Sequence, residues 1–127
     1  MNLFCDLITI LKNAIKSNKK FIFLPKSLFC LQFLKLMFSE GFISNIQEID
    51  SGRFLKVQLK YDLNGNPTFK KIKPLSTPGK TLSLSYKQLT KLNEGVGVLF
   101  ISTSEGLATN HVCLKRKIGG TALCYIV

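Results

Sequence analysis

Ser102, Thr103 and Ser104 close an apolar, β-branched run, Val96 to Ile101, and Gly106 follows two positions later. Short hydroxyl side chains both donate and accept hydrogen bonds. Glycine leaves room for a second backbone to come close. Such a group on a rigid support suits a shallow, hydroxyl-bearing surface. The minor groove of A-form RNA is one, because it displays 2′-hydroxyls while the base edges of the major groove stay out of reach. The plain alternative is a Ser/Thr turn that caps its own backbone.

Other chemistry finds little support. His111 is the single histidine, and no G-x-S-x-G elbow marks a serine as its nucleophile. Asp6, Asp50 and Asp62 fall on separate segments without the spacing of paired carboxylates or metal ligands. Cys5, Cys30, Cys113 and Cys124 form no C-x-x-C pair and sit among apolar neighbours, which predicts buried free thiols in a reducing compartment. No phosphate-binding G-x-x-x-x-G-K-[ST] loop is present, and Gly95-x-Gly97 enters a strand instead of leaving one. The expectation is no catalytic site, no metal, no cofactor and no small-molecule substrate. A small hydrolase using His111 is the enzymatic rival.

Charge points to a polyanion. Eighteen Lys and Arg oppose seven Asp and Glu, a net charge of +11. Self-repulsion of that size favours an acidic partner over a bare basic surface. Four acids, Glu40, Glu48, Asp50 and Asp62, lie mid-chain. Cations gather at Lys12, Lys16, Lys19, Lys20 and Lys26, at Lys70, Lys71, Lys73 and Lys80, and at Lys115, Arg116 and Lys117. Only Arg53 and Arg116 are arginines. Lysine holds phosphates well as a point charge but reads bases poorly. No run of about 20 apolar residues exists to span a membrane. The N-terminus resembles neither a secretory signal nor a transit peptide, so an organellar protein of this kind would be made inside the organelle.

The elements that must position these groups are short. Leu3 to Ile15 carries a helical apolar stripe, Phe21 to Leu24 reads as a strand stopped by Pro25, and Ser27 caps a second helix, Leu28 to Glu40, that Gly41 ends. That helix is apolar nearly all round and is expected to be buried on most sides. Phe42 to Ile49 and Phe54 to Tyr61 read as strands around an Asp50-Ser51-Gly52 turn. Thr68 to Ile72 suggests a lysine-rich edge strand, and Pro74 to Gly79 a linker. Beyond it come a strand near Thr81 to Leu84, a helical turn from Tyr86 to Leu92, the strand Val96 to Ile101, a helical segment from Asn110 to Lys115, and a last strand, Ala122 to Val127. The expected class is α+β in two lobes, an N-terminal helix-strand-helix-strand-strand lobe over 1–73 and a mostly β lobe over 74–127.

With these motifs in place, the chain resembles the family of bacterial-type small-subunit ribosomal protein eight over about Asp6 to Ile126. Gly95-x-Gly97, Ser102-Thr-Ser-x-Gly106, Thr109 and Gly119-Gly120-x-x-Leu-Cys-Tyr125 carry the likeness. Asp6-x-x-Thr9-x-x-x-Asn13, Glu40-Gly-Phe-Ile43, Leu59-Lys-Tyr61 and Ser76-x-Pro78-Gly79 add to it. The resemblance implies two α/β lobes, binding to the central domain of small-subunit ribosomal RNA, an early part in assembly, and neighbouring ribosomal proteins as partners. It places RNA contacts at Ser102, Thr103, Ser104, Gly106, Gly119 and Gly120, around Ser76, Pro78, Gly79 and Lys80, and on the first helix at Lys12 and Asn13. Thr121 stands where the family commonly has an acid. His111 and Leu114 replace common arginines, with Lys115, Arg116 and Lys117 supplying charge instead. Lys80-Thr81-Leu82-Ser83 replaces the usual Leu-Arg-Ile-Tyr. This divergence and the lysine bias favour a mitochondrial ribosome over a plastid or a bacterial one. The alternative is a regulatory RNA- or DNA-binding module outside the ribosome. A membrane-surface module drawn to anionic lipid is a further rival.

Overall fold

The computed structural model describes residues 3–76, 80–92 and 97–127. The chain divides into two compact units, one ending at Lys70 and the other running from Lys71 to Val127.

In the first unit, helix α1 (Leu3–Lys16) buries Phe4, Leu7, Ile8, Leu11 and Ala14, an apolar stripe at helical spacing. Asp6 lies in its first turn and Lys16 in its last, each where the helix dipole favours it. Strand β1 (Phe21–Pro25) follows, then helix α2 (Leu28–Ser39). The Ser27 hydroxyl caps α2 by accepting from the Cys30 N–H at 3.1 Å. Beyond the helix Gly41 takes φ +82°, a left-handed turn that suits glycine. The rings of Phe4, Phe29 and Phe33 meet with centroids 6.0–6.2 Å apart and dock α1 on α2.

Helix α2 departs from the expectation of burial all round. It buries Cys30, Phe33, Leu34 and Met37 and leaves Leu28 and Phe38 73% and 52% exposed. Within its unit the helix packs against α1 and strand β2. An apolar face with no facing element stays wet whatever its composition.

Strands β2 (Ile43–Ile49) and β3 (Phe54–Leu59) form the expected hairpin, and the antiparallel sheet runs β1-β3-β2. Leu55, Val57 and Leu59 point inward with Ile22 and Leu24, while Phe54, Lys56 and Gln58 alternate outward.

The second unit holds strands β4 (Ile72–Pro74) and β5 (Leu82–Leu84), helix α3 (Tyr86–Leu92), strands β6 (Val98–Thr103) and β7 (Gly106–Thr109), helix α4 (Asn110–Arg116) and strand β8 (Gly120–Ile126). Its antiparallel sheet runs β4-β8-β6-β7, and β5 pairs β8 farther along the edge that β4 uses. Leu84, Leu89, Leu99, Ile101, Cys113 and Ala122 form the core under α3 and α4. Phe100, Cys124 and Ile126, on the opposite face, are also fully buried. The chain as a whole is α+β, as its element pattern predicts.

The edge strand is displaced from its expected place at Thr68 to Ile72. Phe69 is buried against Phe42, and the Thr68 hydroxyl donates to the Phe42 carbonyl at 2.8 Å, so this stretch belongs to the first unit. Backbone pairing with the last strand begins at Lys71, which exchanges both hydrogen bonds with Val127, and continues with Ile72 opposite Ile126. Leu75 and Ser76 donate their N–H groups to Leu123, so the first residues of the expected linker are bound to the sheet. Pro78, Gly79, Gly95 and the strand start at Val96 lie outside the described residues.

Candidate nucleic-acid interface

The hydroxyl triplet is not a loop beyond a strand. Ser102 and Thr103 are the last residues of β6, and a two-residue turn, Ser104-Glu105, leads into β7. The pair Thr103↔Gly106 closes this hairpin, and Gly106 holds φ +117° in doing so. Strand β7 escapes sequence reading because Gly106-Leu-Ala-Thr109 is too short to show alternation. The Thr103 hydroxyl donates to the Gly106 carbonyl at 2.7 Å and accepts from the Glu105 N–H at 3.1 Å. The self-capping reading therefore holds for Thr103. Ser102 and Ser104 are exposed, and among the described residues nothing engages their hydroxyls.

Strand register extends the hydroxyl set. Ser83 of β5 lies opposite Thr121 of β8, and Thr121 lies opposite Ser102 of β6. Directly opposed residues share a face, with strands about 4.8 Å apart, so three hydroxyls line up in one row across the sheet. Ser83 and Ser102 are exposed and Thr121 is half-buried. Sequence reasoning met Ser83 and Thr121 only as departures from a family pattern. Nothing local joins them, because both pairings are long-range.

The glycine pair explains how the row is held so close. A Cβ on Gly120 would run into the Ser102 carbonyl and the Ile101 side chain. One on Gly119 would meet the Leu84 carbonyl and the Ser85 backbone. Both glycines thus have an internal reason to lack a side chain: β8 must pass tightly between β6 and the β5–α3 corner.

Basic residues arrive at the same end. Helix α4 starts at Thr109, whose hydroxyl accepts from the Val112 N–H, and the buried Asn110 ties that start to β6 by accepting from the Leu99 N–H at 3.2 Å. The helix ends at Lys117 in a left-handed cap, φ +57°. Lys115, Arg116 and Lys117 are exposed there. Arg116 pairs with Glu105 at 3.3 Å, with both side chains more than half exposed. Such a pair adds little stability, yet it sets the basic helix end beside the hairpin tip. Among the described residues Glu105 is the one acid at this tip, and it offsets part of the arginine's charge.

The remaining candidates are scattered. Ser76 is 5% exposed; its hydroxyl donates to the Ala122 carbonyl and accepts from the Leu82 N–H at 3.0 Å. It braces β5 against β8 from within. Lys80 is exposed. Lys12 and Asn13 are exposed on α1, in the other unit. Gly97 donates its N–H to the Tyr125 hydroxyl at 3.1 Å, and a Cβ there would strike the tyrosine ring. That contact accounts for the second glycine of Gly95-x-Gly97 without a cofactor.

Catalytic chemistry gains nothing from the geometry. Cys30, Cys113 and Cys124 are buried free thiols. Burial raises the Cys113 thiol pKa, with Arg116 pulling the other way, and pushes Cys124 up to about 12. Both stay protonated near neutrality, where a nucleophile needs a thiolate. Among the described residues no three His, Cys, Asp or Glu side chains gather to hold a metal, and no helix is long and apolar enough to cross a membrane.

This arrangement offers hydroxyls along a strand row, a small turn at their end and cations beside them. Comparison with known proteins gives the same direction. Small ribosomal subunit protein uS8 of Parabacteroides distasonis is 36% identical over 124 residues, covering 95% of each chain. The protein of that name from Borrelia garinii subsp. bavariensis is 36% identical over 123 residues, covering 95% of this chain and 93% of its own. That from Porphyromonas gingivalis is 34% identical over 124 residues. Residues 2–127 match the family described as Ribosomal protein S8, and the chain belongs to that family.

Proposed function

We propose that this chain is a structural, non-enzymatic constituent of the small ribosomal subunit that binds ribosomal RNA of the central domain and helps the subunit assemble beside other ribosomal proteins. The observation that carries the reading is the hydroxyl row of Ser83, Thr121 and Ser102, running to Ser104 at the hairpin tip. Such a row fits the wide, shallow minor groove of an RNA helix. Lys115 and Lys117, with Arg116 and Lys80, hold the flanking phosphates and set register. Gly119 and Gly120 let the strands come close enough to present the row, Gly106 takes the positive φ that closes the hairpin, and Thr103 and Ser76 brace it. The family likeness assigns RNA contacts to Pro78 and Gly79 as well, and Lys12 and Asn13 meet a second RNA segment.

The location is a ribosome of bacterial type, in keeping with bacterial relatives. A mitochondrial ribosome is the finer reading, supported by the lysine-rich, arginine-poor composition. Fractionating cells from the source and probing each ribosomal fraction for the protein separates the two.

Binding of a central-domain RNA fragment tests the assignment. Ser102→Ala with Ser104→Ala weakens binding by about 1 kcal/mol for each lost hydrogen bond and leaves the fold intact. Lys115→Gln with Lys117→Gln lowers the salt slope by roughly one unit per phosphate contact. Unchanged affinity in the first variant removes the serines from the RNA surface, and an unchanged slope in the second removes the lysines. A protein missing from small subunits after gradient sedimentation would instead favour regulation outside the ribosome.

A further inference from the structure

The first unit carries a feature that the hydroxyl row does not use. Phe21, Phe23 and Phe54 stand on the outward face of the β1-β3-β2 sheet and are 41%, 57% and 39% exposed. Phe21 and Phe23 are alternate residues of one strand, about 6.7 Å apart along it. Phe54 lies opposite Pro25, one step farther on the neighbouring strand. Beside the rings lies Lys56, directly opposite Phe23, with its ammonium 4.4 Å from the centre of the Phe21 ring. Gln58 lies opposite Phe21, and Gln47 lies opposite Lys56 on β2.

Among the described residues no acid points out from this face. The one acid on the three strands, Glu48, lies opposite Leu55 on the inward side and is paired with Lys26. We propose that the outward face of this sheet is a second RNA site, a stacking platform for unpaired bases.

Three observations select this occupant. Aromatic rings spaced along a flat sheet accept bases face to face, independent of sequence. A cation without a local acid attracts the phosphates between them. Amide side chains beside the rings can bond to base edges. A protein partner would call for a broad apolar patch, whereas here the line of rings is bordered along its length by Lys56, Gln58 and Gln47. The platform is distinct from the hydroxyl row, so either site can fail without the other.

The test uses the intact protein and an unstructured oligouridylate carrying 5-iodouridine, with binding read by fluorescence anisotropy at physiological ionic strength. Irradiation should crosslink the probe to Phe21, Phe23 or Phe54, as located by mass spectrometry. Phe23→Leu, which keeps the apolar volume and removes the ring, should weaken oligonucleotide binding roughly tenfold. Phe23→Tyr should keep it. Both variants should melt as wild type does and bind a central-domain duplex unchanged. The Ser102→Ala, Ser104→Ala variant should show the reverse pattern, binding the duplex more weakly and keeping the oligonucleotide. Equal oligonucleotide affinity for Phe and Leu at position 23 overturns the proposal and leaves the face to a protein neighbour. Crosslinks confined to the second unit overturn it as well.

Discussion

The two sheets expose different parts of themselves. The first is covered on one face by α1 and α2 and leaves the other face to solvent along its length. The second is buried on both faces through its middle, at Ile101 and Ala122 on one side and Phe100 and Cys124 on the other. What it offers to a partner is its end: the strand termini, the Ser104-Glu105 turn and the last turn of α4. A sheet buried on both faces can present polar groups only where its strands run out. There the supporting core holds them rigidly. A half-covered sheet presents a broad face, whose groups are set by alternation along each strand.

The glycines differ in the same sense. Gly41 and Gly52 of the first unit have open space around the missing Cβ and positive φ, so there glycine answers backbone conformation. Gly97, Gly119 and Gly120 of the second unit have crowded surroundings, so there glycine answers packing, while Gly106 at the hairpin turn, with φ +117° and open space, answers conformation as in the first unit.

This contrast can be broken in several ways. The largest effect is expected from emptying either core. Phe33→Ala and Ile101→Ala should each destabilise by about 3–4 kcal/mol in urea unfolding. Hydrogen exchange should locate the first loss in α1, α2 and the first sheet, and the second loss in β6, β8 and α4. Coincident losses would mean that the two units unfold as one. Next comes Gly120→Ala, which forces a methyl onto the Ser102 carbonyl and should cost about 2 kcal/mol by strand displacement. A melting temperature equal to wild type would remove crowding as the reason for that glycine.

The buried thiol sets a third test. Cys124 is held protonated in the folded state up to about pH 12, whereas the unfolded chain loses that proton near pH 9. Above pH 9 the unfolded state therefore binds fewer protons, and stability falls as pH rises towards 12. The loss should reach the order of 1 kcal/mol by pH 10, and Cys124→Ala should lack this component when the two pH profiles are subtracted. The smallest stability effects belong to the hairpin. Thr103→Ala removes both turn hydrogen bonds and should destabilise by about 1 kcal/mol, whereas Ser102→Ala should stay within about 0.5 kcal/mol of wild type. If both behave alike, the division between bracing and presenting hydroxyls is wrong.

Much of the first unit was legible in advance. The α1 stripe, the Ser27 cap and the Asp50-Ser51-Gly52 hairpin are local signals, and the structure has all three. The outward face of α2 was misread because composition cannot tell an apolar residue with a neighbour from one without. In the second unit, helices α3 and α4 fell close to their expected places. Strand β7 did not, and β4 lies several residues from where the lysine-rich run suggested. Short strands are chosen by their partners, and those partners are distant in sequence.

For the interface, the residues alone identified a basic chain with a serine and threonine cluster, lysines near its C-terminus and no catalytic constellation. These follow from residue type and spacing, which the chain carries whether folded or not. Only the tertiary structure separated Thr103, bound into its own turn, from Ser102 and Ser104. Only it set Ser83 and Thr121 beside Ser102, and Arg116 against Glu105. The physical reason is that β8 pairs with β5 on one side and β6 on the other. Those long-range backbone hydrogen bonds decide which side chains share a face.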